Sequence, residues 1–253
     1  MSNPTFEEQQ KFWDDWVDHS FDFENNPDNA RRKLQVLSEA ARRQVPGQKI
    51  LDVGCGSGWL SRELARYGEV AATDLASSVM EENRGRFPGI RWIGGDFLSL
   101  ELPAGYFHLV TCLETIAHVP DQQAFAAGLA RVTRPEGTLL LTSQNEYVWK
   151  RTSWLKPPGE GQIRNWPSRK RLRDLFQSYY VIEKIKTCAP GGDRGWPRLF
   201  TNRVAARFGK ALFGQARWTG LLEVLGFGRS LFMVGRRFPG SFPGDPSEGI
   251  KNV

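Results

Sequence analysis

The residues best suited to chemistry in this chain begin with three glycines that follow an apolar run. Gly54, Gly56 and Gly58 form a G-x-G-x-G turn directly after the run that ends at Val53. Glycine is needed where the backbone turns tightly, or where a side chain would keep a ligand away from the backbone. A helix is predicted to begin near Trp59, and its free N–H groups would lie beside the turn. The pattern predicts a site for a cofactor with an adenosine or a phosphate group.

Three kinds of cofactor compete for this turn. A P-loop requires a Gly-Lys-Ser/Thr sequence, which the chain does not supply here. A nicotinamide or flavin site requires a third glycine at position 59, where Trp59 would oppose close contact between helix and strand. S-adenosylmethionine fits position by position, because it wants an acidic residue before G-x-G-x-G, as in Asp52 to Gly58 with Cys55 between the glycines. Asp52 would repel a diphosphate but would help to position the ammonium group of S-adenosylmethionine.

Further residues at strand ends complete the predicted cofactor site. Asp74 ends the second predicted strand, where a carboxylate can accept hydrogen bonds from both ribose hydroxyls, and Leu75 follows it. Asp96 follows the third strand, where it can accept from the adenine amino group with Phe97 beside the ring. Leu113 is placed to contact the cofactor through its backbone. One acidic residue alone would be an ordinary surface or capping carboxylate, but acids at three successive strand ends favour one binding site.

The elements that must position these residues alternate between strands and helices from residue 49 to about residue 143. Apolar runs bounded by glycine, proline or aspartate predict the strands Lys49–Val53, Val70–Thr73, Ile90–Ile93, Phe107–Cys112 and Thr138–Thr142. Helical patterns between them predict Trp59–Tyr67, Ser78–Phe87 and Asp121–Val132. This order predicts the α/β class, with a doubly wound parallel sheet.

The remaining sequence divides around this core. We predict an N-terminal helical lid over residues 1–45 and a cofactor-binding core over residues 46–187. A helical cap insertion is predicted over residues 188–226, because apolar residues recur there at helical spacing. Residues 227–238 predict the last core strand. Residues 239–253 have too little apolar content to pack and predict a flexible tail.

Two patterns describe the predicted lid. Thr5 with Glu8 three residues later indicates a capping box at the start of the first helix. In the second helix an apolar face is formed by Ala30, Leu34, Leu37 and Ala41.

Charge and cysteine content limit the possible partners. The net charge is +6 and the isoelectric point is about 9.4, with much of the basic excess in residues 164–210. Such an excess indicates nucleic acid, an anionic membrane surface, an anionic substrate or only a solvated face. Residues 197–213 are therefore a candidate for peripheral membrane contact. We do not favour nucleic acid, because the chain has no Asn/Asp-Pro-Pro-Tyr motif and no Pro-Cys pair.

Three widely spaced cysteines give neither a disulfide framework nor zinc-ligand spacing, so no metal site is predicted. The N-terminus does not have the pattern of a signal peptide, and a cytoplasmic location is expected, with membrane-peripheral association as an open variant. The oligomeric state is left open.

Residues 49–145 resemble the class I S-adenosylmethionine-dependent methyltransferases. The resemblance is carried by "ILDVGCGSGWLSRELA", "ATDLASSVM", "GDF", "TCLETIAHVPD" and "LARVTRPEGTLLLTSQN". It is strongest to the branch with a type 11 methyltransferase domain, which includes ubiquinone-biosynthesis, natural-product and sugar methyltransferases. The resemblance implies a Rossmann-like sheet of seven strands, mostly parallel, with the last strand antiparallel.

His118 is the candidate general base of the predicted reaction. It lies in a loop just before a helix, at the edge of the site, and histidine titrates near neutrality. The resemblance supports this role because "EHVPD" is common in the branch, although Ala117 stands here where the branch has the acid. Arg31 or Arg32 is a candidate for the methionine carboxylate, as an N-terminal arginine has this role in some relatives.

The predicted function is methyl transfer from S-adenosylmethionine to a small-molecule acceptor, with a hydroxyl group favoured. A nitrogen or carbon acceptor is an alternative, and so is a protein that binds S-adenosylmethionine without transferring its methyl group. The wall of the acceptor site is expected from residues 144–154, residues 162–166 and the insertion.

Overall fold

The computed structural model describes residues 4–18 and 26–240, so most of the predicted flexible tail lies outside the described residues. The described chain contains one sheet of seven strands. The strands are β1 (Lys49–Val53), β2 (Glu69–Asp74), β3 (Arg91–Gly94), β4 (Phe107–Leu113), β5 (Thr133–Gln144), β6 (Tyr180–Pro190) and β7 (Gly228–Arg237). Their order is β3-β2-β1-β4-β5-β7-β6. β7 runs antiparallel to β5 and β6 on either side of it and the other adjacent pairs are parallel, which confirms the predicted doubly wound, mostly parallel sheet.

Helices cover both faces of the sheet. They are α1 (Phe6–Asp18), α2 (Pro27–Arg42), α3 (Trp59–Leu64), α4 (Ser77–Arg86), α5 (Gln122–Val132), α6 (Glu146–Trp149), α7 (Arg169–Phe176), α8 (Gly195–Thr201), α9 (Arg203–Phe213) and α10 (Gln215–Val224). Apolar residues of α5 and α7 form one core with the sheet, and those of α2, α3 and α4 form a second core on the other face. The strand order reverses between β1 and β4, so the carboxyl ends of β1, β2 and β4 open onto one crevice.

The N-terminal helices agree with the sequence in one respect and differ in another. The capping box is present, because the N–H of Thr5 donates to Glu8 Oε2 at 2.7 Å and the N–H of Glu8 donates to Thr5 Oγ1 at 3.2 Å. In α2, however, the predicted apolar face packs only in part on the core, since Leu37 contacts it while Leu34 is 67% exposed. The buried face includes Arg32 and Glu39, whose charges are met by ion pairs with other side chains.

Two other segments are more complex than the sequence predicts. The predicted strand Thr138–Thr142 is the end of the longer β5, which contains a bulge, because Thr133 pairs with Phe107 while Thr138 already pairs with Leu109. The insertion before β7 forms the three helices α8, α9 and α10. Asparagine and glycine residues at their junctions break a helical pattern that looks continuous in the sequence.

Glu223 attaches the insertion to the core. This buried residue of α10 pairs with Arg31 of α2, with 2.7 Å between Arg31 Nη2 and Glu223 Oε2. Its other oxygen accepts from the N–H of Ala189 at 3.1 Å, at the end of β6. Arg31 therefore helps to hold the insertion on the core.

Glu223→Ala should lower the free energy of unfolding by about 2 kcal/mol, because it leaves Arg31 and the N–H of Ala189 without their acceptor. Urea unfolding measures this change. Glu136→Ala is the matched control, since its pair with Arg236 is about half exposed and should contribute less than about 0.5 kcal/mol. Equal losses in the two variants would contradict the role of Glu223.

Candidate active site

The glycine turn after β1 is fixed by the neighbouring strand. The N–H groups of Gly54 and Cys55 donate to the carbonyl of Thr73 at 2.7 and 3.1 Å. Gly54 has φ of +73°, and a Cβ there would lie 2.0 Å from Thr115 Oγ1. Gly56 also has a positive φ, +51°, but a Cβ there would meet no atom within 4 Å. Since Gly56 lines the main cavity, its open side is available to a ligand.

Gly58 does not lie on the cavity wall. It precedes α3 with φ of +72°, and a Cβ there would lie 2.4 Å from the ring of Trp92. Its small size lets the start of α3 lie close to β3. The structure therefore gives Gly58 a structural position and brings together the other predicted site residues, which line the cavity: Asp52, Gly54, Cys55, Gly56, Asp74, Leu75, Asp96, Phe97, Leu113 and His118.

Asp52 is a buried carboxylate at the base of the cavity. The hydroxyl groups of Ser61 and Thr111 each donate to one of its oxygens at 2.7 Å. Burial raises the pKa of Asp52 to about 6 against the opposing effect of these two donors, and the nearby charge of Asp74 raises it further. A positively charged ligand in the cavity would favour the ionised form.

Asp74 organises the glycine turn from the end of β2. Its two oxygens accept from the N–H groups of Gly56 at 2.8 Å and Ala76 at 3.0 Å. Burial raises the pKa of Asp74, while these backbone donors lower it. A diphosphate would need the N–H of Gly56 as a donor, so its use by Asp74 argues against a dinucleotide.

The third acid lies at the far end of this wall. Asp96 follows β3 and accepts from the N–H of Leu98 at 3.1 Å, so it also closes a turn. Phe97 beside it is buried, with its ring 5.3 Å from that of Phe125 between centroids. Leu113 ends β4 on the opposite side of the glycine turn. These positions match the predicted adenine end of the site, and their roles stay predictions.

The structure distinguishes the two candidate arginines. Arg31 pairs with Glu223 and does not line the cavity, whereas Arg32 is a buried residue of its wall. Arg32 Nε donates to Ser230 Oγ at 2.7 Å and lies 3.2 Å from Glu114 Oε1. Of these two candidates, Arg32 is therefore the one that a ligand in the cavity can reach.

Helix α1 lies across the cavity. On one side Gln10 donates to the carbonyl of Leu75 at 3.4 Å, and Asp14 accepts from the hydroxyl of Ser78 at 2.6 Å. On the other side α1 lies so close to the loop before α7 that a Cβ on Gly161 would be 2.3 Å from the carbonyl oxygen of Glu8.

His118 has a defined protonation state in this arrangement. Its Nδ1 lies 2.7 Å from the carbonyl oxygen of Ile163, and because a carbonyl only accepts, Nδ1 carries the proton. Nε2 is then an acceptor, and Gln144 Nε2 donates to it at 3.2 Å. Burial lowers the pKa of His118 to about 4, and the charge of Arg164 acts in the same direction. The ring is neutral at pH 7, with its lone pair on Nε2, and it lies 4.8 Å from the ring of Trp13 between centroids.

The cavity has a volume of about 470 Å³ and continues from the glycine turn into a group of tryptophans. The ring of Trp149 lies 5.8 Å from that of Trp154 and 5.7 Å from that of Trp166. Arg164 and Arg229 lie on the same wall. This part of the cavity offers flat apolar surfaces and guanidinium groups to a second ligand.

Sequence reasoning missed several charged residues of the wall, among them Glu114 and Arg229. Glu114 has φ of +59°, a rare conformation outside glycine, and it faces Arg32. Glu114 lies in the "TCLETIAHVPD" segment that the sequence analysis singled out, but nothing in that segment indicates a positive φ at this residue. Arg229 comes from the last strand, where its carbonyl accepts from the N–H of Asn145 at 2.7 Å, so only the antiparallel register reveals its place.

Residues 51–141 match the family model described as a methyltransferase domain. A ubiquinone biosynthesis O-methyltransferase of Xanthomonas campestris pv. campestris (strain B100) is 37% identical over 126 residues, which are 47% of this chain and 52% of that protein. The chain thus spans about half the length of the curated relatives it matches. The domain match confirms the resemblance predicted from the glycine turn and implies S-adenosylmethionine as the cofactor.

Solved structures agree on the fold. A chain from the complex between the Haloferax volcanii Trm112 methyltransferase activator and a methyltransferase has a TM-score of 0.65 at 18% identity, with 89% of this chain and 97% of that chain covered. An S-adenosylmethionine-dependent methyltransferase from Mesorhizobium loti has a TM-score of 0.60 at 18% identity, with 81% and 98% covered. At this identity the likeness shows the fold alone, and that fold is the Rossmann-like methyltransferase fold.

Alanine at Gly56 and alanine at Gly54 should separate ligand binding from folding. Gly56→Ala should lower the free energy of unfolding by about 1 kcal/mol, because only the positive φ opposes it. It should weaken S-adenosylmethionine binding at least about tenfold by filling the open side of the turn. Gly54→Ala should lower the free energy of unfolding by about 3 kcal/mol, because the contact with Thr115 is added. Urea unfolding and calorimetry measure the two effects, and equal losses of stability in both variants would contradict this division.

His118 should make the fold sensitive to acid. Its pKa is about 4 in the folded chain against an ordinary value of 6.5, so between these values the unfolded chain binds more protons. Stability from this residue is therefore present above pH 6.5 and is lost as the pH falls toward 4. Asp52 acts with the opposite sign, so the quantity to measure is the difference in unfolding free energy between wild type and His118→Gln across this range. Parallel curves would contradict the lowered pKa of His118.

Proposed function

We propose that the chain is an S-adenosylmethionine-dependent methyltransferase that methylates a hydroxyl group of a small-molecule acceptor. The observation that carries the proposal is the position of His118, which lines the same cavity as the glycine turn and whose neutral ring keeps Nε2 as an acceptor. The methyltransferase domain match supports the reaction class. The name of the curated relatives, ubiquinone biosynthesis O-methyltransferase, supports oxygen as the acceptor atom.

The residues of the cavity fit the cofactor. The open side of Gly56 leaves room for a ligand against the backbone, and Asp74 beside it is assigned to the ribose hydroxyls. Arg32 is assigned to the methionine carboxylate, and the buried charge of Asp52 suits the ammonium group. Asp96, with Phe97 next to it, is assigned to the adenine ring. When bound, S-adenosylmethionine supplies an electrophilic methyl group on its sulfonium.

His118 removes the proton of the acceptor in this proposal. A hydroxyl oxygen that forms a bond to carbon becomes strongly acidic, so even a base with a pKa of about 4 can take its proton. The carbonyl of Ile163 holds the ring in the required tautomer. The acceptor hydroxyl takes the place of the Gln144 amide at Nε2, and this exchange lets Gln144 position the acceptor.

The remaining walls serve the acceptor and exclude water. Trp149, Trp154 and Trp166 provide surfaces on which a ring or an extended apolar acceptor can lie. Helix α1 covers the cavity through its contacts with Leu75 and Ser78, and it acts as a lid that excludes water from the reacting groups.

Methyl transfer from radiolabelled S-adenosylmethionine tests the proposal with acceptors of matched shape, such as a catechol and the corresponding aniline. The hydroxyl compound should be labelled. His118→Ala should lower kcat about 100-fold with little change in S-adenosylmethionine affinity, because the base is lost while the cofactor wall is intact. Asp74→Ala is the complementary variant and should weaken cofactor binding at least about tenfold.

The pH profile gives a second readout. With His118 as the base, kcat/KM should fall in acid with a pKa near 4, not near the ordinary value of 6.5. Unchanged kcat in His118→Ala would remove this residue from the mechanism. Cofactor binding without transfer to any acceptor would favour a protein that only binds S-adenosylmethionine, and transfer to the amine alone would favour an N-methyltransferase.

A further inference from the structure

Helix α9 carries an apolar stripe that faces away from the protein. Val204, Phe208 and Leu212 recur every four residues and are exposed by 64%, 65% and 75%. In this helix of eleven residues only Gly209 is buried. On the neighbouring helix α8, Trp196 is 68% exposed. Large apolar side chains exposed together in this way indicate an interaction surface.

The opposite side of α9 already has its partner within the chain. Gly209 lies against the indole of Trp218, because a Cβ at Gly209 would be only 2.3 Å from that ring. Phe213 stacks on Trp218 with 6.2 Å between ring centroids. Trp218 in turn belongs to a small core with Leu222 and Phe227. Since this contact fixes how α9 is oriented, the stripe is held toward the outside.

The charge of this region has one sign. From residue 194 to residue 222 the sequence has no aspartate and no glutamate. The same stretch has six basic residues: Arg194, Arg198, Arg203, Arg207, Lys210 and Arg217. Three of these lie on α9 at helical spacing, beside the apolar stripe. An apolar face with a basic border is typical of a helix that lies in the interface of an anionic membrane.

The surface also adjoins the candidate active site. A second cavity of about 570 Å³ is lined by Arg198 and Arg203 of α8 and α9. Trp154 and Arg229 line this cavity as well as the main one. The two cavities are therefore neighbours, and Arg198 and Arg203 of the α8–α9 surface lie near the tryptophan-lined part of the active site.

We propose that the α8–α9 surface, residues 195–213, docks on an anionic lipid bilayer. The stripe enters the boundary between headgroups and acyl chains, and the basic residues contact lipid phosphates. A second copy of the chain fits less well, because it would bring basic residues against basic residues without an acidic partner in this stretch. The bilayer also supplies the acceptor, an amphipathic molecule that enters through the second cavity, and this part rests on the proposed function.

The docking mode is peripheral. Among the described residues no helix has the length and apolar character needed to cross a bilayer. Insertion of one helical face accounts for the apolar stripe without a membrane span.

Flotation of the full chain with phosphatidylcholine vesicles, with and without phosphatidylglycerol, tests the docking. The wild type should float with the anionic vesicles only, and salt should weaken binding. Phe208→Ser/Leu212→Ser should weaken binding at least about tenfold by removing buried apolar area. Leu34→Ser is the control, because Leu34 is equally exposed, at 67%, on α2.

Charge reversal separates specific contact from net charge. Arg207→Glu/Lys210→Glu should abolish flotation, whereas Arg171→Glu/Arg173→Glu on α7 makes the same change in net charge and should leave most of it. All four variants should keep the wild-type affinity for S-adenosylmethionine, which separates a failure of docking from a failure of the proposed function.

Three results would overturn the proposal. These are equal binding to neutral and anionic vesicles, equal loss in the α7 and α9 variants, and a wild-type dimer in sedimentation that the α9 variants dissociate. The last result would assign the surface to a second copy of the chain.

Discussion

The structure depends on one close contact, in which the backbone at the end of β1 packs against the loop after β4. Gly54 must pass under Thr115 with a positive φ, while its N–H is held by the carbonyl of Thr73. This contact sets the position of Gly56. The N–H of Gly56 donates to Asp74, and the side of Gly56 where a Cβ would lie is open to the cavity. Cofactor wall, acid and turn are therefore one unit, and none of them can move without the others.

Electrostatics extends this unit toward the acceptor. The first region of the cavity combines the carboxylates of Asp52 and Asp74 with the guanidinium of Arg32, and the second, beside the tryptophans, has Arg164 and Arg229. His118 stands between these regions, neutral because burial and Arg164 lower its pKa to about 4. A cofactor that carries both an ammonium and a carboxylate suits the first region, and an acceptor with aromatic or anionic character suits the second.

The core and most of the residues that line the cavity beside the glycine turn could be predicted because their signals are local. Gly54 and the acids at successive strand ends stand directly beside the strands that position them, so their places follow from the nearby sequence. The predicted strands accordingly differ from the observed ones by few residues outside β5. The position of Arg229 could not be predicted, because it depends on the register of an antiparallel strand far along the chain. The buried face of α2 could not be predicted either. It includes the charged residue Glu39, whose burial depends on ion pairs with Arg43 and Lys184 that an apolar pattern does not reveal.

The central claim is that the glycine turn and Asp74 hold S-adenosylmethionine beside His118. A crystal structure of the full chain with S-adenosylhomocysteine, the demethylated product, tests it most directly. The account predicts the ribose hydroxyls at Asp74, the carboxylate at Arg32 and the sulfur on the side of the cavity that His118 faces. A product bound elsewhere, or bound with its ribose away from Asp74, would contradict the account.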